Sequence, residues 1–205
     1  MSTRYGVPLV ACLLPFTGAA QVLCALGSGA SNYKASADQR PTPDAMQLVG
    51  RANAGGATVC GSNCPEVVLF RNPTASNVML IVDAGRAKIV YAPQVFAAVY
   101  DRYGDAGIVA LLAHPLGHAL DDAMGAAWID KSWTPELRAD SWAGCILARN
   151  KLGAADVQAA LAALAEYPSP SHPKWSLRLP AIRAGYTQCG GTAPFDSASG
   201  KSKSK

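Results

Sequence analysis

The chain has 205 residues, of which 50% are hydrophobic and 16% are charged, and its formal net charge is +4. This length is sufficient for one domain with a hydrophobic core, and the composition excludes an intrinsically disordered chain. The positive charge is small and falls partly in the last five residues, without the basic stripe that binds nucleic acid, so we predict no nucleic-acid partner.

The first thirty residues have the pattern of an export signal. Arg4 supplies a positive start, residues 7–26 are mostly apolar, and small residues follow at 27–30. We therefore predict a signal peptide over residues 1–30, cut after Ala30, and an exported protein that is periplasmic or secreted. The alternative is a signal anchor in the membrane; once the signal is removed, we expect no stable membrane span.

Turn and capping signals divide the remaining chain into a linker at 31–43, one domain at 44–190 and a disordered tail at 191–205. Strands are predicted at 67–71, 77–83 and 87–92, with a hairpin turn at 83–86. Helices are predicted at 44–51, 94–103, 105–122, 135–151, 154–166 and 174–186. The fold class that follows is α+β, with a small antiparallel sheet packed on a mainly helical domain.

Cysteine usage agrees with export. Two of the six cysteines lie in the predicted signal peptide, and the remaining four allow two disulfides in three possible pairings. Cys60 and Cys64 flank a turn-forming stretch and can close a small loop, which leaves Cys145 to pair with Cys189. A zinc site formed by all four cysteines is the alternative, but the spacing C-x-x-x-C without a second close pair argues against it.

Two histidines four residues apart carry the strongest chemical signal. His114 and His118 share one helix face, so both rings can reach one metal ion. On the next predicted helix, Glu136 and Asp140 have the same spacing. In the motif H-E-x-x-H, the residue after the first histidine is a glutamate that takes a proton from zinc-bound water. In this chain that residue is Pro115, which has no acid–base chemistry.

This layout resembles the zinc metallopeptidases of the CAAX-prenyl-protease and heat-shock-protease group, which have H-E-x-x-H on one helix and E-x-x-x-D on the next. The resemblance covers about residues 85–190 and implies a zincin-like metallopeptidase domain. Transferred position by position, it implies that His114, His118 and Glu136 bind zinc. It also implies that Asp140 orients one of the ligand histidines.

The proline at the general-base position decides the functional prediction. Loss of a general base typically slows a reaction by about 10²- to 10⁴-fold. A proline inside a helix is also expected to push the preceding residue, His114, away from helical dihedrals. We therefore predict an inactive or weakly active metallopeptidase-like protein that binds a peptide or an unfolded protein. The alternatives are a zinc-dependent peptidase with another base, for which His172 is a candidate, and a metal-free structural or interaction domain.

Overall fold

The structure is a computed structural model, and it describes residues 21–26, 32–61, 64–65, 67–83, 86–192 and 195. Within these residues, five α-helices and a four-stranded sheet confirm the predicted α+β class. The strands are β1 (Gln21–Leu26), β2 (Val68–Arg71), β3 (Val78–Asp83) and β4 (Arg86–Tyr91). The helices are α1 (Pro43–Cys60), α2 (Pro93–Ala123), α3 (Pro135–Arg149), α4 (Ala154–Glu166) and α5 (Trp175–Gln188).

The sheet is mixed, so the prediction of a purely antiparallel sheet is wrong. The strand order is β1-β3-β4-β2, and β2 runs parallel to β4, while the other two pairings are antiparallel. The hairpin of β3 and β4 forms as predicted, although its turn residues 84–85 lie outside the described part of the chain. Strand β3 lies between β1 and β4, so both of its edges are paired. Strand β2 pairs with the remaining edge of β4.

Strand β1 lies inside the predicted signal peptide. The rest of residues 1–31 is outside the described part of the chain, so the cut after Ala30 stays a prediction. No helix among the described residues has the length and apolarity needed to cross a membrane. At the other end, Phe195 is buried and its ring meets that of Tyr186 edge-on. The domain boundary at residue 190 stays a prediction.

The first helix is longer than predicted at both ends, and its added residues Gly55 and Gly56 pack against α3 and α2, respectively. Thr42 is the N-cap: its side chain accepts a hydrogen bond from the Ala45 N–H at 3.3 Å. The helix continues to Cys60 instead of ending at residue 51. The predicted linker at 31–43 contains one turn of 3-10 helix at Ala35–Ala37.

Helix α2 carries the histidine motif through the centre of the domain. Its dihedrals leave the helical range at Gly104, where φ is 61°, as the predicted break between two helices requires. They do not leave it at His114 or Pro115, so the expected displacement of His114 is wrong. This segment is buried among α1, α3 and α4, and its packing outweighs the penalty of about 3 kcal/mol for an interior proline.

Helices α3 and α5 cross with their backbones in contact. A Cβ at Gly144 would overlap the Ile182 carbonyl, and a Cβ at Gly185 would overlap the Ser141 carbonyl. Two glycines therefore permit this close crossing.

Both predicted disulfides are present in the structure. Cys60 pairs with Cys64 over a Cα–Cα distance of 5.0 Å, and Cys145 pairs with Cys189 over 5.1 Å. Both distances lie in the usual range for a disulfide. The second bridge joins α3 to the end of α5, so it reinforces the crossing of these two helices.

Removing the long bridge should destabilise the protein more than removing the short one. The bridges span sequence separations of 44 and 4 residues, respectively. The chain-entropy estimate is about 4 kcal/mol for replacing Cys145 and Cys189 by alanine, and about 2 kcal/mol for the matched replacement of Cys60 and Cys64. Urea unfolding of the two double variants measures the difference. Equal losses would contradict an entropic origin for the stabilisation.

Candidate metal centre

The start of α3 brings Glu136 to the histidines of α2. Thr134 caps the helix by accepting a hydrogen bond from the Leu137 N–H at 3.4 Å, and Pro135 is the first helical residue, as predicted. Gly117 lies where α3 comes close, since a Cβ at this position would overlap the Ala139 carbonyl. The side chain of Glu136, in the first turn of α3, therefore meets the histidine face of α2.

Three candidate ligand atoms converge at this contact. The Nε2 atoms of His114 and His118 each lie 3.2 Å from Oε2 of Glu136. Zinc–nitrogen and zinc–oxygen bonds of 2.0–2.1 Å in a tetrahedral site give a spacing of about 3.3 Å between ligand atoms. The donor set, and the distance of each histidine from Glu136, therefore fit a tetrahedral metal ion such as zinc.

A buried carboxylate orients the first histidine. Oδ1 of Asp140 lies 2.9 Å from Nδ1 of His114, and both side chains are fully buried. Because a carboxylate accepts this hydrogen bond, Nδ1 carries a proton, and in the neutral ring Nε2 has the lone pair that a metal ion can take. The relation of Asp140 to His114 is the one implied by the metallopeptidase resemblance.

Arg178 of α5 holds the same carboxylate from the other side. Its Nε donates to Oδ2 of Asp140 and its Nη2 donates to Oδ1, both at 2.8 Å, while Nη1 donates to the Leu164 carbonyl at 3.1 Å. Arg178 is 1% exposed, so this is a buried, bidentate ion pair. The sequence does not indicate Arg178 as a site residue, because no local motif distinguishes it from other arginines of an amphipathic helix.

His172 and Ser171, in the segment between α4 and α5, complete the surroundings of Glu136. Oγ of Ser171 donates to Oε1 of Glu136 at 2.6 Å. Nδ1 of His172 accepts from the Ser169 N–H at 3.0 Å, so the neutral ring carries its proton on Nε2. That nitrogen lies 2.9 Å from Oε2 of Glu136 and 3.0 Å from Nε2 of His114. His172 therefore faces the centre as a hydrogen-bond donor, which is the wrong role for a general base.

A fourth candidate ligand comes from the sheet. The sulfur of Cys24, on β1, belongs to one group with the ligand atoms of His114, His118 and Glu136, all within 4.8 Å of one another. Cys24 is 3% exposed. The sequence does not indicate Cys24 as a ligand, because an apolar segment that contains a cysteine is also typical of a signal peptide.

The hydrogen bonds around the two acids keep them ionised. Burial raises the pKa of Glu136, but hydrogen bonds, first from His114 and His118, lower it by more, so its pKa lies well below its usual range. Burial also raises the pKa of Asp140, whereas the hydrogen bond from Arg178 and the proximity of His114 bring it below its ordinary value. Both carboxylates are therefore anionic at neutral pH.

The first histidine and the cysteine have opposite pKa shifts. Burial lowers the pKa of His114, but Cys24 and then Asp140 raise it by more, so its pKa lies well above its ordinary value. Burial raises the pKa of Cys24, and the neighbouring His114 reverses this and brings it well below its ordinary value. Without a metal, protonated imidazole thus balances the anions; a divalent cation can replace those protons.

The general-base position holds no proton acceptor. Pro115 is buried between the two histidines on α2. Asp121, which follows His118 by three residues, accepts a hydrogen bond from Nε of Arg138 at 2.7 Å. Asp140 is occupied by His114 and Arg178. The structure therefore places the predicted ligands together and shows no substitute base among these neighbouring acids.

Comparison of the chain with protein-family models, with curated proteins and with solved structures finds no match. The resemblance to zinc metallopeptidases therefore depends on the two helix motifs. The geometry of their four polar residues is compatible with that resemblance.

Replacing Arg178 by leucine should destabilise the protein by about 3–5 kcal/mol, because it leaves the buried Asp140 without its cationic partner. Arg149→Leu, on the exposed end of α3, is the control, with an expected loss below about 1 kcal/mol. Urea unfolding at neutral pH measures both.

The same pair predicts a pH dependence. Because the pKa of Asp140 is lowered in the folded protein, the stability from this pair is present above the unfolded value of about 3.9 and is lost as the pH falls. The difference between the wild type and Arg178→Leu should therefore shrink in acid. A difference that is independent of pH would contradict this account.

Proposed function

We propose that this is an exported, zincin-like protein that holds zinc through His114, His118 and Glu136 and lacks ordinary peptidase turnover. The observation that supports it is the convergence of these three ligand atoms, with each histidine nitrogen 3.2 Å from Glu136 and with Asp140 bound to the far nitrogen of His114. The two disulfides are compatible with export, because disulfides persist in oxidising compartments.

The donor atoms favour zinc over calcium and magnesium. Two imidazole nitrogens and one carboxylate oxygen suit zinc, whereas calcium and magnesium take mainly oxygen ligands. A bound zinc ion supplies Lewis-acid activation of water or of a carbonyl group. The chain itself supplies orientation: Asp140 fixes the tautomer of His114, and Ser171 holds one oxygen of Glu136, leaving the other for the metal.

The groups around the centre support metal binding more than turnover. A peptidase of this type needs a proton acceptor beside the metal. Pro115 supplies none, and His172 presents an N–H. We therefore favour the non-catalytic interpretation over a peptidase that uses His172 as its base.

An apolar groove beside α2 supports peptide binding. It has a volume of about 440 Å³, and its lining includes Leu116 and Leu120 of α2, Met46 of α1 and Val68 of β2. Met46 is 51% exposed and Val68 is 47% exposed, so apolar surface is open to solvent there. We propose that an extended peptide or an unfolded protein places an apolar side chain in this groove.

Metal analysis tests the centre directly. The purified protein should bind one equivalent of zinc. Glu136→Ala should lose most of its affinity, because it removes a ligand, and Asp140→Ala should lose about 10- to 100-fold, because it removes an orienting partner. Glu166→Ala is the control, since Glu166 contacts Arg102 and Tyr103 instead. A wild type without metal, or the opposite ranking of the two variants, would contradict the proposed ligand set.

Introducing a glutamate at position 115 should give the protein peptidase activity. The variant is Pro115→Glu in the chain that begins at Ser31, which is the predicted exported form. We expect it to cleave an unfolded protein in a zinc-dependent way, because the new carboxylate can accept a proton at the metal. Pro115→Gln has the same shape without a proton acceptor and should stay inert. Cleavage by the unmodified protein would refute the non-catalytic proposal, and a zinc-loaded but inactive Pro115→Glu would show that more than the base is missing.

A further inference from the structure

Strand β1 places one side chain at the metal centre. The burial pattern alternates at its end, with Cys24 3% exposed and Leu26 fully buried, both in the main core. The register against β3 shifts between Val22 and Cys24, so Leu23 is left out of the pairing. An irregularity of this kind redirects the following side chains. Cys24 is thereby turned towards α2.

The three proposed ligands leave one tetrahedral position open. The Cys24 sulfur lies within 4.8 Å of the ligand atoms of His114, His118 and Glu136, and thiolate is a preferred zinc ligand. His172 also lies close, but the Ser169 N–H occupies its Nδ1, so the neutral ring has a proton and not a lone pair on Nε2. Cys24 is thus better suited than His172 to the fourth position.

We propose that Cys24 is the fourth protein ligand and that β1 closes the metal centre in the full chain. The inference rests on the proposed metal site. Cys24 binds as a thiolate, and the imidazole protons of the metal-free centre pass to the solvent when the metal enters. A centre with four protein ligands is closed, as in structural zinc sites, whereas a catalytic site keeps one position open. The full chain would therefore have no open position, whatever residue stood at the general-base position.

The location of Cys24 links this closure to processing of the chain. The predicted cut after Ala30 falls four residues beyond the end of β1. A cut there would release Cys24 and β1 together. One coordination position would open, and the edge of β3, now paired with β1, would become available to another extended strand. One proteolytic event would thus convert a closed centre into an open one.

Cobalt substitution of the full chain tests the ligand. Co²⁺ replaces the native metal, and a thiolate ligand adds a charge-transfer band in the near ultraviolet. The intact 205-residue protein, with its mass verified, should bind one equivalent of Co²⁺ and show this band. Cys24→Ser should still bind Co²⁺ without the band, and its affinity should fall by more than the 10- to 100-fold typical of a lost orienting partner.

Cys12→Ser is the matched control, because Cys12 is the other cysteine outside the two disulfides. With both disulfides intact, a band that persists in Cys12→Ser can come only from Cys24, so this arm decides the question even if Cys24→Ser does not fold. Bound Co²⁺ without a thiolate band, or a band abolished by Cys12→Ser, would overturn the inference and leave the proposed function intact. A wild type that binds no Co²⁺ would instead refute the proposed metal site.

Discussion

The carboxylate of Asp140 is the group on which the arrangement of the centre depends. It lies on α3, accepts a hydrogen bond from His114 of α2, and forms a bidentate pair with Arg178 of α5. A buried charge is stable only when it is paired and hydrogen-bonded. If α2 or α5 moves away from α3, the buried Asp140 therefore loses one of its two partners. The glycine crossing of α3 and α5, and the disulfide that joins them, oppose the movement of α5.

The parts of this centre that sequence predicts are those encoded by local spacing. The pair Thr134-Pro135 fixes the first residue of α3, and with it the helix face shared by Glu136 and Asp140. Arg178 could not be predicted, because its partner lies 38 residues away and the crossing of two helices brings them together. Cys24 could not be predicted either, because its apolar segment is typical both of a signal peptide and of an edge strand. The pairing of this segment with the edge of β3, which is not encoded locally, makes it a strand in the structure.

At position 115, the side chain available for acid–base chemistry and the helical geometry of the neighbouring histidines are independent of each other. Local preference predicts a distorted helix at His114, yet α2 keeps helical dihedrals there because it is packed on several sides by other helices. The two histidines therefore remain one turn apart on one face. Relative to the motif H-E-x-x-H, Pro115 lacks the proton acceptor and leaves the spacing of the two histidines intact. In the proposed site, metal binding and turnover would therefore be separable properties.

A metal held at this position would also act as a cross-link. Its proposed ligands come from α2, α3 and β1, while the Cys145–Cys189 disulfide joins α3 to α5. Because the ligands converge only in the folded chain, the free energy of metal binding adds to the free energy of unfolding. The metal would then join β1, α2 and α3. The contacts by which Asp140 and Ser171 orient the proposed ligands would thereby stabilise the fold, a role that does not require catalysis.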